Sequence, residues 1–199
     1  MRIGTDIDGV LADFSNSLFK IVNDLWPGRI SSKYIVKDWN YTDVIAKNEW
    51  PIIWSEIQST PFFWCDLKPL DGVLALQKFV KNHPEHEFYF ITARTQTGEM
   101  SASVQTKMWL LDRGLFGNGR SHVKVVEHAA EKKAYIQSKE LDYYLDDYAP
   151  TIEDLQNVPR TKSYLLSTHY NRASQAPKVY SVDEYLKIIE GNNAIWTGF

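Results

Sequence analysis

From Pro69 to Glu190 the chain alternates short apolar runs with segments of helical period. No other feature constrains its fold as much. Residues 1–5 form a first short strand that runs into Asp6. Residues 73–82 carry Val73, Leu74, Leu76, Phe79 and Val80 at helical spacing, and His83-Pro84 ends that helix. The pattern then predicts strands at 87–92, 123–126, 141–145 and 163–167. Helices are predicted at 101–112, 131–139, 151–156 and 182–190, with an irregular cover from Gly191 onward. Strands alternating with helices imply a three-layer, Rossmann-like α/β fold with a parallel sheet. In such a sheet ligands bind outside the carboxyl ends of the strands. Polar residues just after several strands should therefore share one chemistry.

One segment breaks the alternation. Residues 14–25 have helical spacing and stop at Pro27-Gly28; 49–58 read as a second short helix, with Asp43 a candidate cap before it. No strand is predicted between them. The expected organisation is an α/β core of residues 1–14 and 67–199 with a helical cap of 15–66. Five of the seven Trp, namely Trp26, Trp39, Trp50, Trp54 and Trp64, fall in this insertion.

Composition narrows the partners. The net charge of −3 supplies no basic excess for a nucleic-acid polymer, but a small anionic substrate is compatible with it. Cys65 is the only cysteine, so an intrachain disulfide and a cysteine metal cluster are both ruled out. It reads as a small core residue of a protein in a reducing compartment. No run approaches the roughly 18 apolar residues of a membrane helix. A cytoplasmic protein without a membrane partner is the expectation.

The residues after the strands do converge. Asp6 and Asp8 follow the first, Thr92-Ala93-Arg94 the second, and Asp146-Asp147 the fourth, while Lys132-Lys133 open the helix leading to that last pair. Asp-x-Asp alone is unspecific. An EF-hand reading fails because the twelfth residue from Asp6 is Ser17 rather than Glu. Together the set suits phosphoryl transfer, which needs a nucleophile, a cation bridging the charges, and donors for the equatorial oxygens. A carboxylate can attack, a pair of carboxylates can hold Mg²⁺, and Thr92, backbone N–H groups and a lysine can bind phosphate.

In this order the motifs resemble those of the haloacid dehalogenase superfamily of aspartate-nucleophile phosphatases. Asp6-Ile-Asp-Gly-Val is similar to the first, Ile91-Thr-Ala-Arg to the second, a helix-borne lysine to the third and Asp146-Asp147 to the fourth. The resemblance implies Asp6 as nucleophile and Asp8 as general acid and then base. It implies Mg²⁺ on Asp6, the Asp8 backbone carbonyl and Asp146, with Asp147 nearby. Thr92 and the Ala93 amide would bind phosphate. Lys133 is the expected third-motif lysine, with Lys132 the alternative. An acid at Asp8 favours a phosphate ester or anhydride over a carbon–halogen bond.

Gly9-Val-Leu-Ala-Asp-Phe14, Pro61-Phe-Phe-Trp64, Leu67-Lys-Pro-Leu-Asp-Gly-Val73, Lys107-Met-Trp-Leu110 and His169-Tyr-Asn171 further resemble the 5'(3')-deoxyribonucleotidases. Ala93-Arg94 replaces the Ser-Pro of the animal members. The resemblance implies a small-molecule nucleotide substrate and leaves a homodimer open. Aromatic rings in a cap can stack on a nucleobase for about 1–3 kcal/mol per base. Phe14, Trp39, Phe62, Phe63 and Trp64 are the candidates, whereas Trp26, Trp50 and Trp54 are assigned to the cap's own core. His169 is expected to be structural.

Overall fold

A computed structural model describes residues 1–196, with side chains through residue 191. Six parallel strands form one sheet in the order β3-β2-β1-β4-β5-β6. They are β1 Arg2–Thr5, β2 Glu87–Ala93, β3 Ser121–Val126, β4 Tyr143–Asp146, β5 Lys162–Leu166 and β6 Lys178–Val179. The helices are α1 Phe14–Leu25, α2 Trp50–Ser59, α3 Gly72–Asn82, α4 Ala102–Asp112, α5 Glu131–Ser138, α6 Ala149–Leu155 and α7 Val182–Trp196. A 3₁₀ turn, His169–Asn171, follows β5.

The strands sort their side chains by period two. Phe88, Phe90, Tyr143 and Leu145 join Leu76 and Phe79 of α3, Trp109 and Leu110 of α4, and Tyr185 and Leu186 of α7 in one core cluster. Tyr89, Ile91, Tyr144 and Leu165 join Ile136 of α5 and Ile152 and Leu155 of α6 in the other. Helices therefore cover both faces, giving the expected three layers.

The helical insertion leaves and re-enters through adjacent chain segments. Leu11 O accepts from Leu70 N, and Asp13 N donates to Lys68 O, each at 2.8 Å. Trp109, fully buried, pins the returning segment by donating its indole N–H to Leu67 O at 2.7 Å. Phe14, at the entry to the insertion, and Trp50, Trp54, Phe63 and Trp64 within it form a chain of ring contacts.

Two local readings are corrected, and one strand is added. Helix α7 continues past Gly191 to Trp196, where an irregular cover is expected; residues 197–199 of that cover lie outside the described residues. Strand β6 is two residues long and too short to show a period. Asp43 caps no helix: its carboxylate accepts from the Tyr34 hydroxyl and pairs with Lys37, and Glu49 precedes α2 instead.

Candidate active site

Strand register assembles the acidic groups. Thr5 of β1 pairs with Leu145 of β4 and with Phe90 of β2. The next residue along β1, Asp6, thus emerges beside Asp146, with Thr92 close by at the same sheet edge. This is the carboxyl edge where β1 meets β4 and the direction of strand order reverses, the usual ligand crevice of an open α/β sheet.

Asp6, Asp146 and Asp147 are all buried, and each offers an oxygen within 4.8 Å of the others. Asp6 Oδ1 accepts from the Ile7 N–H at 2.7 Å. Asp146 Oδ1 accepts from the Tyr148 N–H at 2.9 Å, and its Oδ2 from the Tyr144 hydroxyl at 3.0 Å. The Tyr170 hydroxyl donates to Asp147 Oδ2, while Asp147 Oδ1 is buried without a hydrogen-bond partner. Gly9 is needed for this arrangement. Its φ is +81°, and a Cβ there would overlap the Asp147 carboxylate.

Lys132 Nζ lies between the acids, 2.9 Å from both Asp6 Oδ2 and Asp146 Oδ2. This corrects the expectation of Lys133. Lys132 is one turn before Ile136, and both are buried on the sheet-facing side of α5. Lys133, the next residue round the helix, is only half-buried and makes no ion pair among the described residues.

One lysine does not balance three buried carboxylates. Burial, then repulsion from Asp146, pushes Asp147 up to about 8. Burial also raises Asp6, with Lys132 opposing it. Burial works against the Lys132 ammonium, but Asp146 and Asp6 outweigh it and hold its pKa above the usual lysine range. The surplus negative charge, the all-oxygen donor set and the unpartnered Asp147 oxygen together fit a hard divalent cation such as Mg²⁺.

Asp8 turns away from this cluster. Arg94 Nε donates to its Oδ2 at 2.8 Å and Arg94 Nη2 to its Oδ1 at 2.7 Å, and the Thr92 hydroxyl donates to Oδ2 at 2.8 Å. Thr92, expected to bind phosphate, thus has its hydroxyl on Asp8. Arg94 belongs to the second motif, and the sequence alone assigns it no role. Its side chain is fully buried, donates to Thr106 Oγ1 at 2.9 Å, and lies 4.7 Å over the Trp64 ring. An arginine directly after β2, on the edge that carries the acids, was the available signal.

Asp8, Gly9, Ala93 and Asp147 form the polar end of a cavity of about 400 Å³. Its wall includes Phe14, Trp39 and Trp64, and also Trp50, Trp54, Tyr41 and Tyr170. Phe63 is not on the wall. It is buried behind Trp64, edge to face at 4.9 Å. Phe62 is half-exposed at a positive φ of 58° and does not line the cavity either. Trp50 and Trp54, assigned to the core, contribute ring surface to both core and cavity. Tyr41 adopts a positive φ of 52° and holds Ser15 Oγ at 2.8 Å, a strained conformation of the kind that collects at ligand sites. His169 meets Arg172 through Nδ1, away from the cavity.

No protein-family model matches the chain. A protein named "Putative nucleotidase" from Bacillus cereus is 29% identical, the alignment covering 96% of this chain and 98% of that protein. A second protein of that description, from Oceanobacillus iheyensis, is 28% identical over 86% of this chain and 89% of its own length. Among solved structures, L-2-haloacid dehalogenase from Xanthobacter autotrophicus superposes with a TM-score of 0.60 at 10% identity, covering 96% of this chain and 98% of that one. YfnB from Bacillus subtilis, described as a "putative HAD-hydrolase" bound to magnesium, gives 0.59 at 13% identity over 95% and 98%. The sheet order, the helices on both faces and these superpositions agree: the protein has the three-layer α/β fold of these haloacid dehalogenase-like structures.

Proposed function

We propose that the protein is a Mg²⁺-dependent phosphomonoesterase that hydrolyses ribo- or deoxyribonucleoside monophosphates through an aspartyl-phosphate on Asp6. One observation carries this reading: the buried Asp6–Lys132–Asp146–Asp147 cluster lies at the sheet edge where an aromatic cavity opens onto Asp8, Gly9, Ala93 and Asp147. The two nucleotidase-named relatives support the choice of nucleotide over other phosphate esters.

Asp6, Asp146 and Asp147 would hold the cation, together with the Asp8 backbone carbonyl. When bound, Mg²⁺ supplies positive charge that neutralises the carboxylates and the phosphoryl oxygens. The chain's own groups do the rest. An Asp6 oxygen attacks phosphorus, and the bond from phosphorus to the nucleoside oxygen breaks. Asp8 gives that oxygen its proton. Water then attacks the phosphoaspartate, Asp8 takes a proton back, and inorganic phosphate leaves with Asp6 regenerated. Lys132 holds the Asp6 carboxylate in place and adds a cationic contact beside the transferring group. The Ala93 amide serves as a phosphate donor. Phe14, Trp39 and Trp64 bind the base, and burial of the flat rings excludes water from the nucleophile.

Phosphate release should be measured across nucleoside 5'- and 3'-monophosphates, their deoxy forms and sugar phosphates, each with and without Mg²⁺. A preference for sugar phosphates refutes the substrate assignment and leaves the chemistry standing. Activity retained in Asp6→Asn refutes the covalent intermediate.

A further inference from the structure

A second group of ligand-type side chains lies at the opposite edge of the sheet. His83 ends α3, Glu85 and His86 follow Pro84, and β2 starts at the next residue. Glu85 Oε1 is 3.1 Å from His83 Nδ1 and 3.4 Å from His86 Nδ1. All three residues offer ligand atoms within 4.8 Å of one another. We propose that His83, Glu85 and His86 form a binding site for one divalent transition-metal cation of the Zn²⁺ class, with Glu190 as the outer partner of His83.

The spacing is that of a coordinated set. Zn–N and Zn–O bonds of about 2.0–2.1 Å at tetrahedral angles put neighbouring ligand atoms about 3.3 Å apart. The Glu85 oxygen already stands at that separation from both imidazole nitrogens. The rings themselves are nearly parallel, at 14° with centroids 5.2 Å apart, and Phe79 backs the His83 ring at 4.3 Å. Pro84 and the His86 N–H to His83 O bond of 3.1 Å hold the short loop in shape. The cation would thus enter a formed turn rather than having to order one.

The outer contacts suit the same role. His83 Nε2 faces Glu190 Oε1 of α7 at 3.7 Å. Glu85 Oε1 is within hydrogen-bond reach of His83 Nδ1 at 3.1 Å, so a cation would displace the proton there, and Glu190 stands beside Nε2 to receive the N–H of the metal-bound tautomer. His86 is 4% exposed, so its ring is held in place by the surrounding core. The Met1 amino group also approaches His86 Nδ1, at 3.5 Å. Two nitrogens and one oxygen select Zn²⁺, Co²⁺ or Ni²⁺ over Mg²⁺. The all-oxygen acid cluster at the other edge has the reverse preference. A bound cation would tie the end of α3, the start of β2 and the last helix together, independently of any phosphatase activity.

The test titrates the full chain with CoCl₂ and with ZnCl₂ in excess MgCl₂, which keeps the hard oxygen site occupied. One equivalent of Co²⁺ with visible ligand-field absorption is expected. The exposed Glu85 and the partly exposed His83 can be changed without opening the core. Glu85→Ala and His83→Asn should each lower Zn²⁺ affinity at least about tenfold by calorimetry, and Glu190→Gln should lower it by about tenfold as an outer-contact change. Zn²⁺ should raise the melting temperature of the wild type and not that of Glu85→Ala. Wild-type affinity in both Glu85→Ala and His83→Asn, or no uptake in excess Mg²⁺, overturns the proposal.

Discussion

Arg94 grips Asp8 at two points, through Nε and Nη2, from a side chain with no exposed surface. The pair fixes the carboxylate's plane at the cavity wall, and Thr92 adds a third donor. If Asp8 protonates the leaving oxygen, Arg94 is its positioning residue.

Arg94→Lys keeps a cation but loses the two-point geometry. Turnover of nucleoside monophosphates should fall about 100-fold, the scale of general acid catalysis, with KM changed less than about threefold. The kcat/KM for 4-nitrophenyl phosphate, which reports only the phosphorylation of Asp6 and whose leaving group needs no proton, should fall much less. Values of kcat/KM across leaving groups of graded basicity check this. An equal loss for every leaving group would mean that Arg94 only supports the fold.

Lys132 and Lys133 are adjacent in sequence but face different surroundings. Among the described residues Lys132 is the one cation within the buried acid cluster, and removing it leaves Asp6 and Asp146 to repel each other. Lys132→Met should reduce kcat at least about 1,000-fold, comparable to loss of a major transition-state contact. Lys133→Met should stay within about threefold of wild type, as surface changes do. Parallel kinetics of the two variants decide the assignment; the reverse pattern would return the role to Lys133.

These two lysines also mark where the sequence stopped being legible. Strand ends are legible in the apolar runs, and they place Asp6, Thr92 and Asp146 on one edge. A helix of eight residues offers too little period to fix its phase, and the choice between neighbouring lysines depended on Ile136 being the buried partner. Arg94 was visible but unassigned, because its partner Asp8 lies 86 residues away in the chain. The cap rings were harder still. Phe63 and Trp64 are consecutive and equally apolar, and only their packing makes one a wall of the cavity and the other its backing.

Protons and the cation compete for the acid cluster. Asp147 is held at about 8, far above its unfolded value near 3.8. Between those limits the folded state binds a proton that the unfolded chain has lost, so stability decreases as pH rises through the window. Asp6 is displaced in the same direction. The metal-free protein should therefore melt several degrees lower at pH 8 than at pH 5.5. Excess Mg²⁺ should remove most of that difference by replacing the proton with the cation. Melting curves at the two pH values, with EDTA and with Mg²⁺, test it. A metal-free protein more stable at pH 8 would contradict the raised carboxylates.

Trp39 separates binding from folding. It is 42% exposed, lines the cavity, and packs against Tyr148 at 4.6 Å and Tyr170 at 5.7 Å. Trp64 lines the same cavity but is 1% exposed, lies beneath the Arg94 guanidinium, and donates its indole N–H to Thr95 O at 2.8 Å. Removing a stacking ring costs about 1–3 kcal/mol per base. Trp39→Ala should therefore raise KM for nucleotides roughly 5- to 150-fold, leave KM for ribose 5-phosphate within about twofold, and move the melting temperature by under about 3 °C. Trp64→Ala opens a core cavity worth about 3–5 kcal/mol, which at this chain length lowers the melting temperature by roughly 6–20 °C. Kinetics on both substrates beside thermal melts distinguish the two. A Trp39→Ala protein with wild-type KM for every nucleotide would remove this ring from the base-binding surface.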